Sequence, residues 1–414
     1  MIAELIVPAA GRADVDGIVE RFMSVPTKAL MPFDDAVMNV AAALSRRLAT
    51  DSEARTFPAL QALAFWMRRA ELVRLRDAFH QLEDAGRVLV PRGVVFHVPP
   101  ANVDTLFVYS WLLAVLAGNR NIVRLSTRMS RQGSLLCRML NEELQEQSDG
   151  FLAQNTVMLS YGHEADVSAA LSAVCDVRVI WGGDATVNAM RKIALPPHAV
   201  EMTFPDRYSW AAIDCEAFLA LDGAAREALA DKFYNDTFWF DQLGCSSPRT
   251  IVWVGTATVG ATAGRIFGDA VSSRIKARGY RVDVGSSLAK RTFAYRAVLD
   301  QPVSTVEWVS NELAVASLDQ GAPMERDHPG GGFLFQRVVQ HLDELAPLLS
   351  ARDQTLAYFG FPVQELRALA VGLGARSFDR IVPIGEALRF DRYWDGYDLL
   401  AQFTRQVTVG SSQS

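Results

Sequence analysis

The apolar positions of this chain fall into two regimes. Over residues 1–90 they recur at three- and four-residue spacing, clearest in 33–48 and 57–82, which predicts a mostly helical start. Asp84-Ala85-Gly86-Arg87 reads as a turn. From Pro91 short apolar runs alternate with helical periodicity. Residues 93–98 predict a strand, which Pro99-Pro100-Ala101-Asn102 ends. Asn102 is placed to cap a helix over 103–117, and Gly118-Asn119 closes that helix. Strands at 122–125, 156–160, 177–181 and 199–202 follow, separated by helices at 129–147, 164–174 and 184–193. Five strands with four helical crossovers predict a parallel, doubly wound sheet. Such sheets take ligands beyond the carboxyl ends of their strands. The loops at Asn102, Ser126, Tyr161-Gly162-His163 and Gly182-Gly183 are therefore the ones to watch.

A second α/β region starts at Pro205, with a strand at 210–213 and a helix over 224–240 that carries Leu229, Phe233, Phe238 and Phe240. A strand at 250–254 and an amphipathic helix at 259–277 come next. Pro329-Gly330-Gly331-Gly332 lacks phosphate-loop spacing and reads as a structural turn. Residues 380–385 and 393–397 read as ordered loops carrying aromatic residues, and 406–409 as a terminal strand. The predicted domains are 1–204, 205–385 and a returning segment, 386–414.

Between the 224–240 helix and the 250–254 strand lies Gln242-Leu243-Gly244-Cys245-Ser246-Ser247-Pro248-Arg249. Cys245 thus sits on a short loop between two packed elements, where a fold presents a side chain it uses. A thiol there is either a nucleophile, if its surroundings favour the thiolate, or a small buried hydrophobe.

Composition narrows the choice. The chain has 414 residues, half of them hydrophobic and 21% charged, with a net charge of −6. That is a globular balance and argues against a general nucleic-acid binder. The four cysteines contain no CxxC pair, which predicts neither a disulfide framework nor a metal site and suits a reducing cytosol. Residues 1–8 lack the basic and apolar regions of a signal peptide, and the apolar run 106–117 is too short to span a bilayer. A cytoplasmic protein without a membrane span is expected. GxGxxG, Walker A and HExxH patterns do not occur.

Several stretches together resemble the aldehyde dehydrogenase superfamily. Pro91-Arg92-Gly93-Val94, Pro100-Ala101-Asn102-Val103, Gly118-Asn119 and Val123-Arg124-Leu125 follow the order of its cofactor-domain motifs. Gln242-Leu243-Gly244-Cys245 resembles its nucleophile motif, and Val200-Glu201-Met202 stands where that superfamily has Glu-Leu-Gly-Gly. Cys245-Ser246-Ser247-Pro248-Arg249, Gln354-Thr355-Leu356, Arg380-Ile381-Val382-Pro383-Ile384-Gly385 and Trp394-Asp395-Gly396 are most similar to the LuxC-type acyl-CoA reductases, which act on acyl-protein thioesters. The resemblance covers about residues 35–410. Three features depart from it. Glu201 is followed by Met202-Thr203-Phe204, Arg124 replaces the usual lysine, and the Glu-Glu-Ile-Phe-Gly-Pro segment is missing, with Glu307 and Glu312 poor substitutes.

The resemblance implies an α/β fold with two doubly wound parallel-sheet domains and a short oligomerisation element. The first domain would bind the nicotinamide cofactor and the second would carry the thiol. The implied reaction is NADPH-dependent reduction of a fatty acyl-CoA or acyl-carrier-protein thioester to an aldehyde, through a Cys245 acyl-enzyme. The Asn102 amide and the Cys245 N–H would hold the oxyanion, with helix capping the competing role for Asn102. Glu201 would move a proton or serve only structurally. Arg124 and Ser126 would meet the NADPH 2′-phosphate, because the strand at 122–125 runs into Ser126-Thr127-Arg128 with no acidic residue before Glu142. Gly182-Gly183 would approach the cofactor phosphates or form a plain tight turn. His97 and His198 are further candidates, and a homo-oligomer is expected. The rival readings are a cysteine acyltransferase or thioesterase without a nicotinamide, and a non-catalytic partner subunit.

Overall fold

A computed structural model describes residues 1–24, 30–84, 86–100, 103–146, 150–162, 164–300, 302–319 and 326–410. The chain divides into two compact units, 1–205 with 390–414, and 206–389.

The first unit opens differently from its helical periodicity. Strands β1 (Ile2–Val7) and β2 (Gly11–Asp14) form a hairpin ahead of α1 (Val15–Met23). α2 (Asp35–Thr50) starts on Asp34, whose carboxylate accepts the Ala36 N–H at 2.9 Å. The 57–82 run is two helices, α3 (Pro58–Trp66) and α4 (Arg69–His80), broken at Met67-Arg68. Then come β3 (Arg87–Pro91), β4 (Val94–Val98), α5 (Leu106–Leu116), β5 (Arg120–Leu125), α6 (Arg131–Gln145), α7 (Phe151–Gln154) and β6 (Thr156–Ser160). α8 (Ala165–Ala173), β7 (Val177–Trp181), α9 (Asp184–Arg191) and β8 (Val200–Phe204) complete the sheet.

The five parallel strands lie in the order β6-β5-β4-β7-β8, with β1 added antiparallel to β6. Buried on both faces, β4, β6 and β7 contain no exposed position, which is why they read as plain apolar runs. The strand order reverses between β4 and β7, so the crevice for a ligand lies beyond their carboxyl ends.

The second unit carries β9 (Tyr208–Asp214), α10 (Cys215–Leu219), α11 (Gly223–Phe238), β10 (Pro248–Val254), α12 (Ala257–Arg278), α13 (Val284–Asp300), β11 (Val303–Trp308) and β12 (Ala314–Leu318). It continues with β13 (Phe333–Val339), β14 (Asp353–Phe359), α14 (Val363–Leu373) and β15 (Arg380–Pro383). Its sheet runs β11-β12-β13-β10-β9-β14-β15, parallel except for edge strand β11. Alternate side chains feed two apolar layers. Trp210, Val252 and Phe335 pack on one face, and Ile213, Trp253 and Phe267 on the other. The fold is thus α/β with two doubly wound sheets.

The returning segment belongs to the first unit. The hairpin of β16 (Tyr393–Trp394) and β17 (Tyr397–Asp398) turns at Asp395-Gly396, both left-handed. α15 (Leu399–Gln402) leads to β18 (Thr404–Thr408), which pairs antiparallel with β3. Phe390 and Trp394 pack against Tyr109, which anchors the segment.

Candidate active site

Cys245 lies in the loop between α11 and β10, at the amino end of the second sheet. The loop turns on Asp241 (φ 51°) and Gln242 (φ 62°), two non-glycine residues in the left-handed region. Gln242 explains how such a turn persists. It is fully buried, its Nε2 donates to Pro248 O and Phe333 O at 2.9 Å each, and its Oε1 accepts the Gly332 N–H at 3.0 Å. The strap it holds, Gly330-Gly331-Gly332, has φ of 73°, 61° and 78°. A Cβ on Gly332 would meet Glu312 O at 1.9 Å, so only glycine fits. Gly331 N–H donates to Asp241 O at 2.8 Å, and its carbonyl accepts from the buried Lys290 Nζ at 2.6 Å. Burial lowers the Lys290 pKa to about 8, against the pull of Glu312.

Cys245 is half-buried, whereas Cys137, Cys175 and Cys215 are buried. Desolvation pushes those three thiols up to about 12, 12 and 11, which keeps them protonated and inert. Ser209 Oγ donates to Cys245 O at 2.7 Å and fixes the backbone. Gln354, at the start of β14, places its Nε2 3.5 Å from Cys245 Sγ. Arg249 donates to Arg207 O at 2.9 Å and interacts electrostatically with the Cys245 thiol. His328 has both ring nitrogens committed: Nε2 to Phe333 O at 2.7 Å, Nδ1 to the Gly330 N–H at 3.0 Å. Burial first, and Arg249 second, lower its pKa well below the usual histidine range, so it is no base for the thiol.

In the first unit the expected residues separate. Asn102 lies outside the described residues, as does His163. The capping place expected for Asn102 falls to Thr105, because α5 starts at Leu106. Glu201 is the second residue of β8, at the amino half of the strand, opposite Arg178 of β7. It accepts from Arg178 Nε at 2.8 Å, from Arg178 Nη2, and from Arg191 Nε at 3.2 Å. Gly182, in contrast, donates to Phe204 O at the other end of β8, three residues and roughly 10 Å away. Gly183 is the N-cap of α9.

Arg124 is engaged beside the carboxyl end of the neighbouring strand β6. Its guanidinium donates to Gly162 O at 2.5 Å and lies 5.0 Å from the Tyr161 ring centre. Ser126 and Arg128 line a small depression with Pro99, Pro100, Asp104, Phe107, Leu125 and Met129, at the carboxyl ends of β4 and β5. His97 is fully buried, 2.8 Å from Ser110 Oγ and 2.9 Å from Asn121 Oδ1. His198 is exposed beside Asp176, at 3.5 Å.

The roles of Gln242, Ser209, Arg249 and Lys290 are not legible in the sequence.

The family model described as acyl-CoA reductase (LuxC) matches residues 44–282, more than half of the chain and including Cys245. The chain belongs to the LuxC acyl-CoA reductase family. A relative, the long-chain acyl-protein thioester reductase of Photorhabdus laumondii subsp. laumondii, is 23% identical over 333 residues. That match covers 78% of this chain and 64% of the relative, so the chain spans under two thirds of that relative's length. Among solved structures, Mycobacterium tuberculosis aldehyde dehydrogenase complexed with NAD+ superposes with a TM-score of 0.65 at 13% identity, covering 96% of this chain and 91% of that one. Glyceraldehyde-3-phosphate dehydrogenase GapN from Methanocaldococcus jannaschii, complexed with NADP, gives 0.60 at 12%, covering 95% and 92%. These likenesses show an aldehyde dehydrogenase-like fold. No helix among the described residues is long and apolar enough to cross a membrane.

Proposed function

We propose that this chain reduces a fatty acyl-CoA or acyl-carrier-protein thioester to an aldehyde at the expense of NADPH, with Cys245 as the nucleophile. The observation that carries the reading is Cys245 itself, the one cysteine not buried, on a loop stiffened by Gln242 and lying inside the LuxC match.

The Cys245 thiolate attacks the acyl carbonyl; a carbon–sulfur bond to Cys245 forms and the bond to the carrier sulfur breaks. The departing thiolate takes up a proton as free CoA or carrier thiol, leaving an acyl-enzyme. Exchanging one thioester for another is nearly isoenergetic, so little driving force is needed. The chemistry a bound reduced nicotinamide supplies is a hydride for the acyl carbon. The carbonyl oxygen then gains a proton as the thiohemiacetal, and loses it again when the Cys245 bond breaks and the aldehyde leaves. Asn102 and the Cys245 N–H serve the oxyanion in this scheme.

Ser126 and Arg128 would hold the adenosine side of the cofactor and its 2′-phosphate, with Gly182 and Gly183 near the pyrophosphate. Arg124 supports this end of the sheet through Gly162. Glu201, committed to two guanidinium groups, ties β7, β8 and α9 together. With His328 neutral and pinned, a cysteine–histidine hydrolase is disfavoured. The β3–β18 ribbon leaves Val88, Val407 and Val409 exposed, which supports a homo-oligomer. None of the cysteines forms a disulfide, which supports a cytoplasmic location.

The test is incubation with a long-chain acyl-CoA and NADPH, following cofactor absorbance and free thiol together. Equal rates support the reading. Thiol release without cofactor oxidation would mark a transferase or thioesterase.

A further inference from the structure

We propose that the side-chain amide of Gln354 is a catalytic donor to Cys245, holding the sulfur as a thiolate before acyl transfer and receiving its charge again when the aldehyde departs. This rests on the nucleophile role argued for Cys245.

Gln354 is fully buried at the amino end of β14, with Nε2 3.5 Å from Cys245 Sγ. Its orientation is set from behind. Ser246 Oγ, also fully buried, donates to Gln354 Oε1 at 2.8 Å, and Thr355 Oγ1 lies 3.4 Å from the same oxygen. Two hydroxyls on the carbonyl oxygen leave the NH2 end for the sulfur. The reversed amide would set oxygen lone pairs against an anion. A hydrogen bond to the charged form favours that form, and a buried amide supplies it without reorganisation. Ser246 follows Cys245 directly, so one side chain fixes both the loop and the donor aimed at the sulfur. The charged and titratable groups at these strand ends include Arg207 and Tyr208 at β9, Asp241 in the loop, Arg249 on β10, His328 ahead of β13, and Asp353 with Arg326 beside β14. Arg249 supplies the other attraction for a thiolate. The amide differs in being directional and in touching the reacting atom.

The experiment is the pH dependence of iodoacetamide alkylation at Cys245, read by peptide mapping, for the wild type, Gln354→Leu and Gln354→Glu. The midpoint should rise by about one pH unit in the leucine variant, roughly a 10-fold loss of thiolate near neutrality, and further in the glutamate variant. The glutamate keeps an acceptor for Ser246, so it carries the test if the leucine variant does not fold. Midpoints unmoved in the folded variants, with only the melting temperature or kcat lowered, would overturn the proposal. Wild-type protein treated with acyl-CoA separates the two claims. No acyl adduct at Cys245 alongside a shifted midpoint would defeat the proposed function while leaving the Gln354 contact standing.

Discussion

The side-chain oxygen of Gln242 accepts the backbone N–H of Gly332 at 3.0 Å, joining positions 90 residues apart in the chain. This bond and the two from Gln242 Nε2 hold the left-handed turn that presents Cys245. Gln242→Leu takes the acceptor from the Gly332 N–H and one donor each from Pro248 O and Phe333 O, the last keeping its bond from His328. It should cost roughly 2–5 kcal/mol of stability and slow alkylation of Cys245. Urea unfolding and peptide-mapped alkylation check both effects, and an unchanged unfolding midpoint would contradict the keystone role.

Glu201 should behave as a structural residue. Its carboxylate neutralises Arg178, which is 2% exposed, so Glu201→Leu strands a buried guanidinium at a cost of about 3 kcal/mol. Turnover per folded molecule should change little. A turnover loss of about 100-fold with normal stability would restore Glu201 to proton transfer.

His97 predicts an acid-sensitive first unit. Burial lowers its pKa to about 4, opposed by its bond to Asn121, against 6.5 in the unfolded chain. Between these values the unfolded state binds the extra proton, so stability falls as pH drops from about 6.5 toward 4, by up to about 3 kcal/mol. Above 6.5 the group has no effect. His97→Gln should flatten the slope of unfolding free energy across that window, and an unchanged slope would remove His97 as its cause.

The two sheets were legible because β4, β6, β7 and β10 are mostly apolar runs of strand length. The amino-terminal hairpin was not: β2 is four residues, Gly-Arg-Ala-Asp, and exists through its pairing with β1. Nor was the break at Met67-Arg68, which no glycine or proline marks. Cys245 could be singled out because a local helix–loop–strand pattern frames it. Gln354 appeared only as part of a motif, because its partners Cys245 and Ser246 lie 109 and 108 residues away. Arg124 shows the limit of a strand-end argument. Its position was readable, but its contacts with Tyr161 and Gly162 depend on β6 beside it.

With Arg124 engaged at Gly162 O and Tyr161, the sharper cofactor prediction is made at exposed Arg128. A charge-assisted contact contributes roughly 1.5–3 kcal/mol. Arg128→Ala should therefore weaken NADPH binding by about 10- to 150-fold while barely affecting NADH. Arg124→Ala should weaken both alike by loosening the β5–β6 edge. Fluorescence titration of the two cofactors against each variant distinguishes these effects. Equal losses in the Arg128 variant would place the 2′-phosphate elsewhere.

The most direct measurement is intact-mass and peptide-mapping spectrometry of the protein treated with a long-chain acyl-CoA in the absence of any nicotinamide. The account predicts one acyl group per chain, on Cys245, absent from Cys245→Ala and discharged as aldehyde when NADPH is added. An unmodified protein, or acylation at Cys137, Cys175 or Cys215 with none at Cys245, would contradict it.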